Sequence, residues 1–234
     1  MPVFRLTEEC VFPSPALARW DGLLAVGGDL SVERLLAAYR LGIFPWYGPD
    51  SPMLWWSPDP RIVLIPQDIK ISRSLRQTIK KGVFTVTTDK AFADVIINCS
   101  QAKRSGGGDT WLNNEMIEAY VKLHKAGFAH SIESWCDGEL AGGLYGVVIG
   151  GVFFGESMFF KKSNASKVAF ATIVPKLIEW GFVLIDCQVT TQYLMSFGAT
   201  HLQRNDFMHI LKSATRITTS CESWKNNGNL QSIV

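Results

Sequence analysis

The chain has 234 residues, 47% of them apolar, and a formal net charge of +2. This length and apolar content suffice for a substantial hydrophobic core and exclude a disordered or fibrous protein. The nearly balanced charge excludes a surface that coats nucleic acid throughout, so any site for a polyanion must be a local basic patch.

The cysteines and the longest apolar run predict a cytoplasmic protein without a membrane segment. Five scattered cysteines form no C-x-x-C pair of the kind that holds zinc or cycles between redox states, so we expect reduced thiols. The N-terminus lacks the apolar core of a secretory signal. Residues 142–160 approach membrane-spanning length, but Gly150-Gly151 indicates a hairpin turn and Glu156 would be costly inside a bilayer.

The first part of the chain, residues 1–61, predicts a small N-terminal domain. It is rich in Pro, Gly and Trp, which favours turns and short strands. We expect a single helix in this domain, beginning after Ser31 as its N-cap and ending before Gly42.

Residues 62–234 predict a larger α+β domain that opens with the strand RIVLIP. A basic helix is expected from Ser72 to Lys81 and a second helix from Asn113 to Lys125. Asp137-Gly138 is a hairpin signal between two β-rich runs, and GVFFGESMFF should add a third antiparallel strand.

The last third of the chain continues the same alternation. Ser163 or Asn164 should cap a helix that runs to Trp180, in which Pro175 should cause a kink or local unwinding. The strand FVLIDCQV, a short helix, the strand-like THLQR and a final helix complete the α+β pattern.

Asp186 and Gln188 are the first candidates for chemistry. They lie two apart in an apolar strand, so the period of two predicts that both side chains share one face, with Cys187 on the other. Such a pair either acts on a substrate or only hydrogen-bonds a neighbouring loop. The histidines match neither a covalent triad nor a zinc pattern, so we predict neither a nucleophile nor a metal.

Glu156 interrupts an apolar strand, where a carboxylate finds a partner, lies at a strand edge, or contacts a polar ligand. Nearby apolar residues on the strands line either a pocket or the core. Trp46, in the turn-rich FPWY, is a candidate for stacking on an unpaired base.

A basic stripe is the second candidate site. Arg73, Arg76 and Lys80 recur on one face of the first basic helix, as either a phosphate-tracking stripe or a solvated face. The glycine run at 103–111 is not followed by the G-K-[ST] of a phosphate-binding loop, so ATP use is not indicated.

Eight motifs together resemble the leucyl/phenylalanyl-tRNA–protein transferases over essentially the whole chain: GGDLSVERLLAAYRLGIFPWY, LWWSPDPR, DTW, AHSIE, GGLYGV, GESMF, NASK and LIDCQV. The resemblance implies a small N-terminal domain and a catalytic domain resembling the N-acetyltransferase (GNAT-like) fold. It implies transfer of Leu or Phe, and less readily Met, from aminoacyl-tRNA to proteins that begin with Lys or Arg, which marks them for N-end rule degradation. A monomer without a cofactor is expected.

The same resemblance assigns roles to residues. It implies that Asp186 and Gln188 act at the reaction centre and that Trp46 contacts the terminal adenosine of the tRNA. The implied substrate site comprises Tyr39, Trp46, Trp111, Tyr120, Phe153, Gly155, Glu156 and Ile185, and the implied acceptor-stem surface comprises Arg73, Arg76 and Lys80.

An aminoacyl-tRNA ester is already activated, so attack by an amine requires positioning rather than ATP, a metal or an acyl-enzyme. We expect Gln188 to contact the amine, while Asp186 orients Gln188 and favours the developing positive charge. The sequence leaves open whether Asp186 itself takes the proton. Glu156 is a candidate for reading the acceptor's Lys or Arg.

Two other functions fit parts of the sequence. An acyl-CoA-dependent N-acetyltransferase is one, although KKSNASK lacks the glycines that bind pyrophosphate at a helix start. A non-catalytic tRNA-binding module is the other, and it would need the basic helix and Trp46 but neither Asp186 nor Gln188.

Overall fold

A computed structural model of the chain describes residues 2–102 and 112–219 together with Trp224 and Leu230. The N-terminal part contains one helix, α1 (Val32–Arg40), and a small sheet in the order β1-β2-β4-β3. Its strands are β1 (Phe4–Leu6), β2 (Leu23–Gly27), β3 (Phe44–Pro45) and β4 (Leu54–Trp56). The predicted cap is confirmed, because the Ser31 side chain accepts the Arg34 N–H.

A seven-stranded sheet forms the larger part, in the order β11-β5-β10-β9-β8-β7-β6. The strands are β5 (Arg61–Leu64), β6 (Thr85–Thr88), β7 (Ala129–Cys136), β8 (Glu139–Ile149), β9 (Val152–Phe160), β10 (Leu184–Gln188) and β11 (Thr200–Leu202). Neighbours are antiparallel except β9 and β10, which run parallel.

Helices cover both faces of this sheet. They are α2 (Arg73–Lys80), α3 (Phe92–Ser100), α4 (Asn114–Lys125), α5 (Ala165–Glu179), α6 (Gln192–Ser196) and α7 (Arg204–Ala214). Side chains alternate along β8, so Tyr145 and Val147 join the apolar cluster of α3, α4 and the N-terminal part. Leu144 and Val148 face the other cluster, which contains α5.

Local signals in the sequence predicted most of these elements. Ser72 and Asn113 cap α2 and α4, and Asp137-Gly138 forms the turn between β7 and β8. Strand β6 and helix α3 were not predicted. Helix α5 is continuous through Pro175, so it does not unwind there. Its long buried face against the sheet offsets the backbone hydrogen bond that proline cannot make.

The two parts share one hydrophobic core. The apolar cluster above α3 and α4 also contains Leu24, Leu35 and Trp55 from the N-terminal part. The division between residues 61 and 62 therefore stays a prediction, and β5 begins at Arg61 itself. Within the described segments, every helix is too short or too polar to cross a membrane.

Candidate active site

A pocket of about 840 Å³ opens between the C-terminal half of β9, the end of β10 and the segment after β3. Its wall is mainly apolar and includes Leu144, Phe153, Met158, Phe170 and Ile185. Several polar side chains interrupt this wall, among them Glu156 and Gln188. A largely apolar cavity with a few convergent polar groups is the usual form of a small-molecule site.

A β-bulge at the end of β10 turns Gln188 into the pocket. The pairing with β5 shifts between Asp186 and Gln188, and Gln188 has a left-handed φ of +60°. Ile185, Cys187 and Gln188 line the pocket, whereas Asp186 does not. The prediction that Asp186 and Gln188 share a face is therefore wrong, because the bulge breaks the alternation on which it depended.

Cys187 shares the pocket wall but does not have the character of a nucleophile. It is buried, and burial raises the pKa of its thiol, with a further rise from the charge of Asp186. A thiol that stays protonated is a weak nucleophile.

Asp186 lies behind the pocket, where it forms a fully buried ion pair with Arg61. The guanidinium donates from Nε to Oδ1 over 2.9 Å and from Nη2 to Oδ2 over 2.7 Å. Oδ1 also accepts the backbone N–H of Gln188 over 2.9 Å. Asp186 therefore orients Gln188 through the backbone, and Arg61 balances its charge. This differs from the expectation that Asp186 would favour a positive charge on the substrate.

Glu156 is the centre of a hydrogen-bond network that gathers groups from four elements. Its Oε1 accepts from the Tyr39 hydroxyl over 2.7 Å and from the Gln188 amide Nε2 over 2.8 Å. Its Oε2 accepts from the Tyr120 hydroxyl over 2.9 Å. Pairing of β8 with β9 shifts at this point, so that Gly155 and Ser157 face consecutive residues of β8 and Glu156 is the extra residue.

The oxygen–oxygen contacts in this network indicate how many protons it holds. The hydroxyls of Tyr39 and Tyr120 also lie 2.6 Å apart, so three close oxygen–oxygen contacts join the two phenols and Glu156. Each phenol supplies one proton. Burial and the nearby Glu156 raise the pKa of both phenols well above the usual range, so neither loses its proton. All three contacts are hydrogen bonds only if Glu156 carries a proton and donates it to one phenol, which frees that phenol to donate to the other.

The environment of Glu156 agrees with this count. Burial raises its pKa from 4.5 to about 7, although the hydrogen bonds from Tyr39, Tyr120 and Gln188 act in the opposite direction. Part of the residue is nevertheless open to the pocket. Glu156 therefore exchanges a proton near neutral pH beside Gln188.

Comparison with known proteins identifies the family. Residues 63–212 match the sequence profile of the leucyl/phenylalanyl-tRNA protein transferases, and residues 28–59 match the profile of their N-terminal domain. Relatives named leucyl/phenylalanyl-tRNA–protein transferase are 57% identical in Syntrophobacter fumaroxidans and 54% identical in Desulfatibacillum aliphaticivorans, each alignment covering 96% of both chains. The chain belongs to the leucyl/phenylalanyl-tRNA–protein transferase family. The expected family and transferase class are thereby confirmed.

The solved structures that resemble this chain do so at low sequence identity. L-PGS from Bacillus licheniformis is 12% identical, with a TM-score of 0.39 over 72% of this chain and 53% of that chain. A GCN5-related N-acetyltransferase from Kribbella flavida is 10% identical, with a TM-score of 0.37 over 71% and 59%. The α+β class and the separate N-terminal domain are confirmed by the sheet order and the family profiles.

The residues that the family resemblance assigned to the substrate site fall into three groups. Trp46, Phe153, Gly155, Glu156 and Ile185 line the pocket, beside the catalytic candidate Gln188. Tyr39 and Tyr120 are buried and reach the site only through Glu156. Trp111 lies outside the described residues. Their roles in a transferase remain proposals.

The basic residues assigned to the tRNA lie away from this wall. Arg73, Arg76 and Lys80 are exposed on α2 and do not line the pocket. Trp46 is 41% exposed, and its ring meets the ring of Trp56 edge-on at 5.8 Å between centroids. It therefore presents a large accessible aromatic surface at the pocket.

One functional candidate, Arg61, was absent from the sequence-based site. It opens a strand of buried apolar residues, and a cation in that setting needs a buried anion. The sequence therefore indicated that Arg61 has a buried acidic partner, but it did not show that this partner is Asp186.

The described residues contain one group of metal-ligand types outside the pocket wall: Asp89, His124 and His130. Nδ1 of His130 is 2.7 Å from Asp89 Oδ2, and Nδ1 of His124 is 2.8 Å from the Ala129 carbonyl oxygen. These facing nitrogens are already engaged in hydrogen bonds. These hydrogen bonds explain why the three side chains lie together. The absence of a metal stays a prediction.

Proposed function

We propose that the chain transfers Leu or Phe, and less readily Met, from aminoacyl-tRNA to the N-terminal Lys or Arg of acceptor proteins. The observation that carries this proposal is the paired Gln188 and Glu156 in the wall of a largely apolar pocket. Membership of the transferase family supports the same reaction class. The transfer would mark acceptors for N-end rule degradation.

The apolar part of the pocket suits the side chain of the transferred amino acid. Phe153, Ile185 and Met158 offer a surface for Leu or Phe, and branching at Cβ would bring a methyl group against the wall. A methyl-sized mismatch changes selectivity by only about 1–3 kcal/mol, so partial use of Met is consistent with such a pocket.

Gln188 is proposed to orient the attacking amine. Its Nε2 is engaged by Glu156, so its Oε1 is the end of the amide that accepts from a bound substrate. An α-amino group titrates near 7.7–8.0, so about a tenth of it is neutral at pH 7. Orienting that fraction toward the ester carbonyl is the main requirement of the reaction.

Glu156 is proposed to handle the proton. The amine nitrogen forms a bond to the carbonyl carbon, and the bond from that carbon to the ribose oxygen breaks. The amine proton passes to the ionised form of Glu156, which returns it to the leaving ribose oxygen. A group with a pKa of about 7 suits both steps, because it accepts and donates with similar ease.

The tRNA is proposed to bind through its acceptor end. Its terminal base would stack on Trp46, and the exposed Arg73, Arg76 and Lys80 would contact phosphates of the acceptor stem. We expect a cytoplasmic monomer without a cofactor. Reduced Cys10, Cys136 and Cys187 are consistent with that compartment.

The test is a transfer assay with labelled Leu-tRNA and peptides that differ only in the first residue. Without ATP or added metal, we expect label on peptides that begin with Arg or Lys and little on a peptide that begins with Ala. Binding of Leu-tRNA is measured separately. Intact binding without any transfer would instead support the tRNA-binding module.

A further inference from the structure

We propose that Arg61 is a positioning residue for transfer: it fixes the side chain of Asp186, and Asp186 in turn fixes the left-handed backbone that turns Gln188 into the pocket. The inference rests on the proposed function, which supplies the reaction. The linkage, meaning the contacts from Arg61 through Asp186 to Gln188, rests on the geometry. Arg61 thereby joins the residues that shape the active site, and the role of Asp186 is to position Gln188.

The linkage is continuous from Arg61 to the pocket. Two parallel N–H···O bonds, of 2.9 and 2.7 Å, fix the carboxylate plane of Asp186 against the guanidinium. The same carboxylate accepts the Gln188 backbone N–H over 2.9 Å. Gln188 is one of four described non-glycine residues with positive φ. A glutamine does not take this conformation without support, and Asp186 supplies it.

The guanidinium is itself immobilised. Its central carbon lies 4.7 Å from the ring centroid of Phe44 and 4.8 Å from that of Phe207. Arg61 is 1% exposed, and its Nη1 has no hydrogen-bond partner among the described residues. An arginine buried at this cost, with its plane held by two rings, positions its partner more rigidly than a lysine would.

The same contacts exclude Asp186 as the proton acceptor. Its side chain is fully buried and absent from the pocket wall. A proton on Asp186 would leave Arg61 as an unbalanced buried cation. Asp186 therefore acts on Gln188, while proton exchange belongs to Glu156.

The test uses Arg61→Lys, which keeps the positive charge but cannot form the bidentate pair. The matched control is Arg34→Lys. Arg34 is equally buried, but it donates to Asp29 and to the carbonyl groups of Thr7, Glu8 and Glu9, none of which lines the pocket, whereas the partner of Arg61 bonds to Gln188 in the pocket wall. Melting temperatures of both variants are recorded, so that a loss of stability is separated from a loss of positioning.

For Arg61→Lys we expect kcat to fall about tenfold or more, with KM for Leu-tRNA changed by less than about threefold. Arg34→Lys should keep kcat at a comparable melting temperature. An unchanged kcat in folded Arg61→Lys would overturn the proposal, as would an equal fall in both variants.

A second measurement does not depend on activity. The backbone amide proton of Gln188 should resonate downfield in the wild-type NMR spectrum because it donates to a carboxylate, and it should move upfield in Arg61→Lys. An unmoved resonance would contradict the linkage. If wild type shows the shifted resonance but no transfer, the proposed function fails while the linkage holds.

Discussion

The side-chain amide of Gln188 donates to Oε1 of Glu156 over 2.8 Å, and the two residues come from neighbouring parallel strands. The bond fixes which end of the amide faces the pocket. It also places the group that we propose to orient the amine beside a carboxyl group whose pKa burial raises to about 7.

The stability of the protein should depend on the protonation of Glu156. The unfolded chain releases this proton near pH 4.5, whereas the folded chain keeps it up to about pH 7. Between these values the folded state binds more protons, so the free energy of unfolding falls as the pH rises. The fall attributable to Glu156 is at most about 3 kcal/mol. Denaturant unfolding of wild type and Glu156→Gln across this range measures it, and parallel pH profiles would disprove it.

The rate of transfer should follow the same ionisation. In wild type, kcat should rise as the pH passes about 7, where Glu156 becomes able to accept a proton. Glu156→Gln keeps a hydrogen-bonding side chain of the same shape but cannot take a proton. We expect it to fold and to lose about a hundredfold in kcat together with this inflection. A variant profile that retains an inflection at about pH 7, apart from the rise that the acceptor amine itself produces at about pH 8, would place the proton elsewhere.

Trp46 should contribute to binding of the tRNA rather than to chemistry. Trp46→Ala removes an accessible ring at the pocket, so KM for Leu-tRNA should rise about tenfold while kcat is unchanged. The control is Trp20→Ala, because Trp20 is 88% exposed but does not line the pocket. Equal effects of the two substitutions would indicate that Trp46 has no specific role.

Gly155 should set the size of the amino acid that the pocket accepts. A Cβ atom built there lies 3.7 Å from the nearest atom, the Asp186 carbonyl oxygen, so alanine fits without strain but narrows the pocket. We expect Gly155→Ala to reduce transfer of Phe about tenfold more than transfer of Leu, with an unchanged melting temperature. Equal losses for both amino acids would show that the added methyl group does not touch the side chain.

Helices that are capped by a nearby side chain were predicted from the sequence. Elements that are held by contacts with residues distant in the chain were not. Ser31, Ser72 and Asn113 cap their helices with their own side chains, so the sequence nearby was sufficient. Helix α3 begins after Ala91, which has no capping side chain. Its N–H is instead accepted by Glu133 from β7, over 3.4 Å.

The candidate site shows the same division. The sequence marked Asp186 and Gln188 as polar residues in an apolar strand, but strict alternation placed them on one face. A bulge separates them, and Asp186 at that bulge pairs with Arg61, which lies 125 positions earlier in the chain. The pKa of Glu156 likewise depends on its burial, which raises it, and on hydrogen bonds from Tyr39 and Tyr120, which lower it, and only the fold brings these groups together.

The most direct test of the whole account is single-turnover transfer of labelled leucine from Leu-tRNA to a peptide that begins with Arg, using wild type and Gln188→Ala. Binding of Leu-tRNA is measured in parallel. We predict transfer by wild type without ATP or added metal, and a loss of about a hundredfold in Gln188→Ala with binding retained. Undiminished transfer by Gln188→Ala would contradict the assignment of the chemistry to this pocket wall.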